Sequence, residues 1–126
     1  MKIKLNFLLG QPTLNGRNYD QAMLKEQFDE VIKENGHIAV GPDSSCIDEK
    51  EGTIPSEMTV GFVKNYEISD SGEVIFDVHE LSQETEDYLA SNPDIIKLSI
   101  FGFGNMDEHK NVRGFKLTSL FMTMEQ

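Results

Sequence analysis

The stretch MTVGFVKNYEISDSGEVIFDVHEL, residues 58–81, decides the fold. Two runs rich in β-branched and aromatic residues flank the tetrapeptide 69–72, where Asp70 and Gly72 supply turn chemistry, so an antiparallel hairpin is expected. On its second arm Val74, Phe76 and Val78 fall on one face. Upstream, KIKLNFLL at 2–9 alternates Ile3, Leu5 and Phe7 with Lys2, Lys4 and Asn6, the period of a half-buried strand. A Gly/Pro/Asn-rich loop follows. Leu24, Phe28, Val31 and Ile32 then recur at helical spacing, predicting a helix over 20–34 that Asn18 or Asp20 caps and Gly36 stops. HIAV at 37–40 reads as a short strand. The next segment, 41–57, holds five acids and two prolines and is expected as a long loop.

Downstream of the hairpin, Ser82 is placed to cap a short acidic helix that runs to about residue 90 and ends at Asn92 and Pro93. DIIKLSIFGF, 94–103, reads as a strand. The segment 104–114 reads as a polar connector, and FKLTSLFMTM, 115–124, as a closing strand on which Phe115, Leu117, Ser119 and Phe121 share one face. The pattern of about six strands with two interspersed helices points to an α+β fold. We expect one domain over 1–126, a small, mostly antiparallel, closed or nearly closed β-barrel with both helices packed around it.

With 22 Asp+Glu against 11 Lys+Arg, the formal net charge is −11. Such a surface repels phosphate backbones and anionic headgroups, so neither nucleic acid nor a membrane is expected as a partner. Cys46 is the lone cysteine and cannot form an internal disulfide. No apolar run approaches the ~18–20 residues that span a bilayer. The opening residues lack the apolar length and cleavage site of a secretion signal, so a reducing compartment is expected.

GFGN at 102–105 lacks the third glycine, the lysine and the following helix of a phosphate loop. A calcium loop begun at Asp43 would put Asp48 where glycine is needed and Ile54 where a bidentate glutamate belongs. The histidines His37, His79 and His109 show no metal spacing, so no metal or other cofactor is expected, nor a small-molecule ligand. Cys46 sits among acids, which raise a thiol's pKa and make it a poor nucleophile. Ser99 is different. It lies in an apolar run followed by Gly102 and Gly104, which would let backbone N–H groups turn toward an oxyanion, although the same pattern suits an outward-facing strand serine.

Taken in order, these pieces resemble the capsid-maturation (prohead) proteases of tailed bacteriophages, themselves distantly similar to the herpesvirus assemblins. NGRNYDQAMLKEQFDEVI is similar to the family's opening turn and first helix, TVGFVKNYEISDSGEVIFDVHEL to its central hairpin, IKLSIFGFG to its nucleophile strand, and GFKLTSLFMTME to its last barrel strand. The resemblance spans 13–125. It implies a barrel of the kind expected above and places Ser99 at the nucleophile's position.

The sequence departs from that pattern at the base. The family's catalytic histidine falls on Ser44 or Ser45 here, and its alternative position at the head of the hairpin is Gly61. An arginine that follows the nucleophile in the family is replaced in the region of Phe101 and Gly102. The sequence also ends at the last expected strand, without the tail such proteases often carry. We therefore expect a protease-like barrel without functional catalytic residues, serving as an auxiliary or decoration protein on the outer face of a phage shell. Its partners would be the major capsid protein and copies of itself, and it would be made in the bacterial cytoplasm and reside in the virion. The expected contacts are the loop around Asp43, Ser45, Asp48, Glu49 and Glu51, and the connector around Asp107, His109 and Lys110. The alternative is an active serine protease of head maturation, cleaving scaffold and capsid precursors, with Ser99 as nucleophile and His37 as base.

Overall fold

The computed structural model describes residues 1–124. Its elements in chain order are β1 (Lys2–Lys4), β2 (Asn18–Tyr19), α1 (Gln21–Asn35), β3 (Ile38–Gly41), β4 (Gly61–Ile68), β5 (Val74–His79), α2 (Gln83–Ser91), β6 (Ile96–Met106) and β7 (Asn111–Met124). The strands form one mixed sheet with the path β1-β5-β4-β3-β7. Along β7, β6 pairs antiparallel on one edge, while β2 and β3 pair parallel with its beginning and end. The sheet curls into a half-barrel whose ends meet at one point. Leu5 forms a parallel bridge to Leu98, and the Asn6 N–H donates to the Leu98 carbonyl at 2.8 Å. The α+β class and the curled, mostly antiparallel sheet agree with the sequence reading.

The hairpin at 58–81 forms as expected, with the Gly72 N–H donating to the Ser69 carbonyl at 3.0 Å and Ser69 Oγ accepting from the Glu73 N–H. Val74, Phe76 and Val78 are buried. On the first arm the inward residues are Val63, Tyr66 and Ile68, a three-residue step where a regular strand would take two. The ladder explains it: Lys64 is an extra residue between the pairs Val63–Val78 and Asn65–Asp77, a β-bulge that resets which face the following side chains take.

β7 carries two such resets. Its core-facing residues are Val112, Phe115, Leu117, Leu120 and Met122, with three-residue steps before Phe115 and after Leu117. The register against β6 slips at those places, near Gly114 and at Thr118. This corrects the expected common face of Phe115, Leu117, Ser119 and Phe121: beyond Thr118 the parity is inverted, so Leu120 is fully buried in the core while Ser119 and Phe121 lie on the other face. It also shortens the polar connector, because β6 runs on to Met106 and β7 begins at Asn111. The first strand is shorter than its alternation suggests, ending at Lys4 apart from the Leu5 bridge.

Helix α1 starts where Asp20 accepts a hydrogen bond from the Met23 N–H at 2.9 Å and stops at Gly36, whose N–H bonds the Ile32 carbonyl. It buries Leu24, Phe28 and Val31 against the concave side of the sheet. Phe28 meets Phe76 and Tyr66 edge-on, at ring-centroid distances of 5.4 and 5.3 Å. The Tyr66 hydroxyl donates to the Asp29 carboxylate, and burial together with that carboxylate pushes the phenol's pKa up. Helix α2 is capped by Ser82 Oγ, which accepts from the Thr85 N–H, and it buries Leu89.

Phe28 is fully buried at the junction of α1, β4 and β5. Phe28→Ala should cost about 3–5 kcal/mol of unfolding free energy, read from the denaturant midpoint at unchanged slope. A loss below about 1 kcal/mol would mean that α1 does not close this core.

Candidate functional site

Ser99 stands in β6 between Leu98, which is wholly buried, and Ile100, and it pairs across the ladder with Phe121. It therefore points away from the core, on the face where the N-terminal segment and the 13–17 turn come over the sheet. That turn is tight: the Thr13 N–H donates to the Arg17 carbonyl at 2.9 Å and the Gly16 N–H to the Thr13 carbonyl at 2.9 Å. Lys110 Nζ reaches the Asn15 carbonyl at 3.1 Å and ties the turn to the β6–β7 connection. The result is a polar groove of about 250 Å³ whose lining includes Asn6, Thr13, Arg17, Tyr19, Ser99 and Thr123. Arg17 is the only charged side chain among the described residues lining it; no imidazole or carboxylate does. The buried side-chain amide oxygen of Asn6, Oδ1, has no partner there.

His37 is elsewhere. Its ring packs edge-on against Phe62 at 4.5 Å, just before β3. Ser99 and Gly41 both oppose Phe121, and His37 precedes Gly41 by four residues. Strand rise and spacing then separate Ser99 from His37 by roughly 16 Å. The structure does not bring this pair together.

Ser44, Ser45 and Gly61, where the resemblance noted above would place a histidine, are otherwise engaged. The Ser45 N–H and hydroxyl both donate to the Asp43 carboxylate, and Ser44 opens a 3-10 turn over Ser44–Cys46. At Gly61 a Cβ would lie 2.8 Å from Val78 and 2.9 Å from Leu81, so no imidazole fits. Gly102 likewise serves packing: a Cβ there would sit 2.2 Å from the Lys116 carbonyl oxygen and 2.6 Å from the Phe115 ring. The glycine expected to let backbone N–H groups turn toward an oxyanion is a place in a strand over which Phe115 lies.

The acidic loop is more anchored than its composition suggests. Cys46 and Ile47 are buried, and Cys46 Sγ donates to the Asp43 carbonyl at 2.9 Å. Gly52, at φ +72°, presses on the Thr118 bulge, and its carbonyl accepts from Ser119 Oγ. Between these anchors Asp48 Oδ1 accepts from the Lys50 and Glu51 N–H groups, leaving Glu49 and Glu51 exposed at the tip. Hydrogen bonds from Ser45 hold the Asp43 carboxyl below the ordinary carboxylate range.

The connector is a tight turn organised by Asp107. Its Oδ1 accepts from the His109 N–H at 2.8 Å and the Asn111 N–H at 3.0 Å, while its other oxygen faces Arg113 at 3.5 Å. Lys110 completes the turn at φ +62°, and His109 stays exposed beside Glu108. Among the described residues no group of three or more His, Cys, Asp and Glu side chains is placed to hold a metal ion. Among the described residues no helix is long and apolar enough to cross a membrane.

Sequence reading did not find a second depression, an apolar cleft of about 360 Å³ between Tyr88 of α2 and Phe121, Met122 and Met124 of β7, with Asp43 at its mouth. The signal was present in Tyr88 and Met124, apolar side chains on exposed positions, but the assumed unbroken parity of β7 hid it.

The bonds from the Asn111 and His109 backbone lower the pKa of Asp107. Its turn is therefore stabilised at pH values above the unfolded carboxyl pKa, and that contribution is lost as pH falls through the lower folded value. An NMR titration should place the Asp107 midpoint below the unperturbed value of about 3.9, and a midpoint at or above it would contradict the capping role. No protein family matches the sequence, and neither a curated protein nor a solved structure matches it.

Proposed function

We propose that this chain is a non-catalytic virion component of a tailed bacteriophage, an auxiliary or decoration protein that binds the outer face of the capsid shell. The observation that carries the non-catalytic part is the groove at Ser99. A serine hydroxyl is protonated and weakly nucleophilic at neutral pH unless a base takes its proton. The lining of this groove provides one cation and no imidazole or carboxylate, and His37 is packed on Phe62. Acid–base help of about 10²–10⁴-fold is then absent. The phage assignment rests on the ordered resemblance of four segments to the prohead proteases, as does the choice of the major capsid protein and further copies of the chain as partners.

On this reading the half-barrel is a rigid platform and its anchored loops carry recognition. Asp43, Ser45 and Asp48 shape the acidic loop from within, so Glu49 and Glu51 at its tip are the groups free to meet a partner. On the connector exposed His109 plays that part, while Asp107 is the internal brace and Lys110 contributes by tying the turn to the Asn15 carbonyl. The protein needs no cofactor in this role, is synthesised in the bacterial cytoplasm and ends in the particle.

Purified protein mixed with empty shells of the encoding phage should co-sediment with them, more weakly at high salt because exposed charges are screened. Absence from the shell pellet at low salt would overturn the proposal. A fluorophosphonate probe should leave the intact mass of the folded protein unchanged. A stoichiometric adduct that disappears in Ser99→Ala would instead establish an activated serine and the active-protease alternative.

A further inference from the structure

The cleft beside α2 is built from four parts of the chain: Pro42–Ser44 after β3, Tyr88 of α2, Ile96 of β6, and Phe121, Met122, Thr123 and Met124 of β7. Its volume of about 360 Å³ is enough for one or two large apolar side chains. Tyr88 is 53% exposed and Met124 60% exposed, and neighbouring Ile95 is 39% exposed, so this apolar surface meets solvent. Met122 and Met124 make the lining adaptable to the side chain it receives.

The rim is acidic. Asp43 is part of the lining, its carboxylate held in place by hydrogen bonds from the Ser45 N–H and hydroxyl. Glu84 lies one turn before Tyr88 on the same face of α2, with Asp87 adjacent. The nearest cation along the ladder is Lys97, which pairs with Thr123. An apolar slot with Asp43 in its lining and Glu84 one turn away on α2 is complementary to one kind of occupant, an apolar side chain carried between lysines or arginines.

We propose that this cleft docks an extended segment of a partner protein in which a leucine-like or aromatic residue is flanked by basic residues. The inference deepens the binding role proposed above and rests on the chain being a binding protein, though not on the partner being a shell. It adds a second contact surface that uses Tyr88, Met122 and Met124 and is anchored apart from the acidic loop tip.

The test uses a synthetic hexapeptide of two leucines flanked on each side by two lysines, titrated into the isotopically labelled full chain and followed by amide NMR shifts. Shifts should centre on Tyr88, Met122 and Met124. Tyr88→Ala, at an exposed position, should weaken binding by about tenfold with the melting temperature unchanged, and Glu84→Lys should weaken it in a salt-dependent manner. Peptides with the leucines replaced by serine, or the lysines by glutamate, should cause no shifts at those residues. The proposal is overturned if shifts are absent, if they are confined to residues 48–51, if the serine peptide is equivalent, or if Tyr88→Ala binds like the parent chain. Shell sedimentation separates the two readings: peptide shifts without shell binding leave the cleft and remove the shell, and shell binding without peptide shifts does the reverse.

Discussion

The alternation of side chains along β7 breaks twice, once before Phe115 and once between Leu117 and Leu120, and the shape of the molecule follows from those breaks. β7 is the strand on which β2, β3 and β6 all depend. A strictly regular β7 would turn Leu120 and Met122 outward, to the face that Ser119 and Phe121 occupy. The extra residues near Gly114 and at Thr118 keep the apolar set inward while bending the strand, and Lys64 does the same on β4. The curl gives α1 a concave face for Leu24, Phe28 and Val31 and brings Leu5 round to Leu98.

The same bends set the chemistry of the outer face. At Thr118 the bulge leaves a shoulder on which Gly52 rests, and the Ser119 hydroxyl fixes the Gly52 carbonyl. The acidic loop is thereby pinned to the barrel by a glycine and a buried cysteine, with its tip held out in solvent. Phe121, turned outward by the parity change, separates the polar groove at Ser99 from the apolar cleft at Tyr88. Ser99 thus sits among amides, hydroxyls and one guanidinium. In such surroundings a serine is a neutral hydrogen-bonding group.

Much of the fold was readable from local pattern. The β4–β5 hairpin, the Asp20 cap and Gly36 stop of α1, the Ser82 cap of α2 and the strand character of 96–103 all come from short-range rules that tertiary packing did not override. What was not readable is what bulges control. A bulge is a property of two paired strands, and its sequence trace, an apolar step of three in place of two, is visible only once the partner register is known. That is why Ser119 and Phe121 were expected on one face with Phe115 and Leu117, and why the cleft beside Tyr88 escaped notice. The isolation of Ser99 from His37 likewise depends on which strands adjoin. In contrast, the unsuitability of Gly61 for a histidine needed the positions of Val78 and Leu81.

We propose that this half-barrel binds a shell without cutting it. Electron cryomicroscopy of empty shells incubated with the protein, with the mass of the major capsid protein measured in the same sample, tests both halves together. The account predicts ordered density of the size of this barrel on the outer face and a capsid protein of unchanged mass. Bare shells whose capsid protein has been shortened would contradict it.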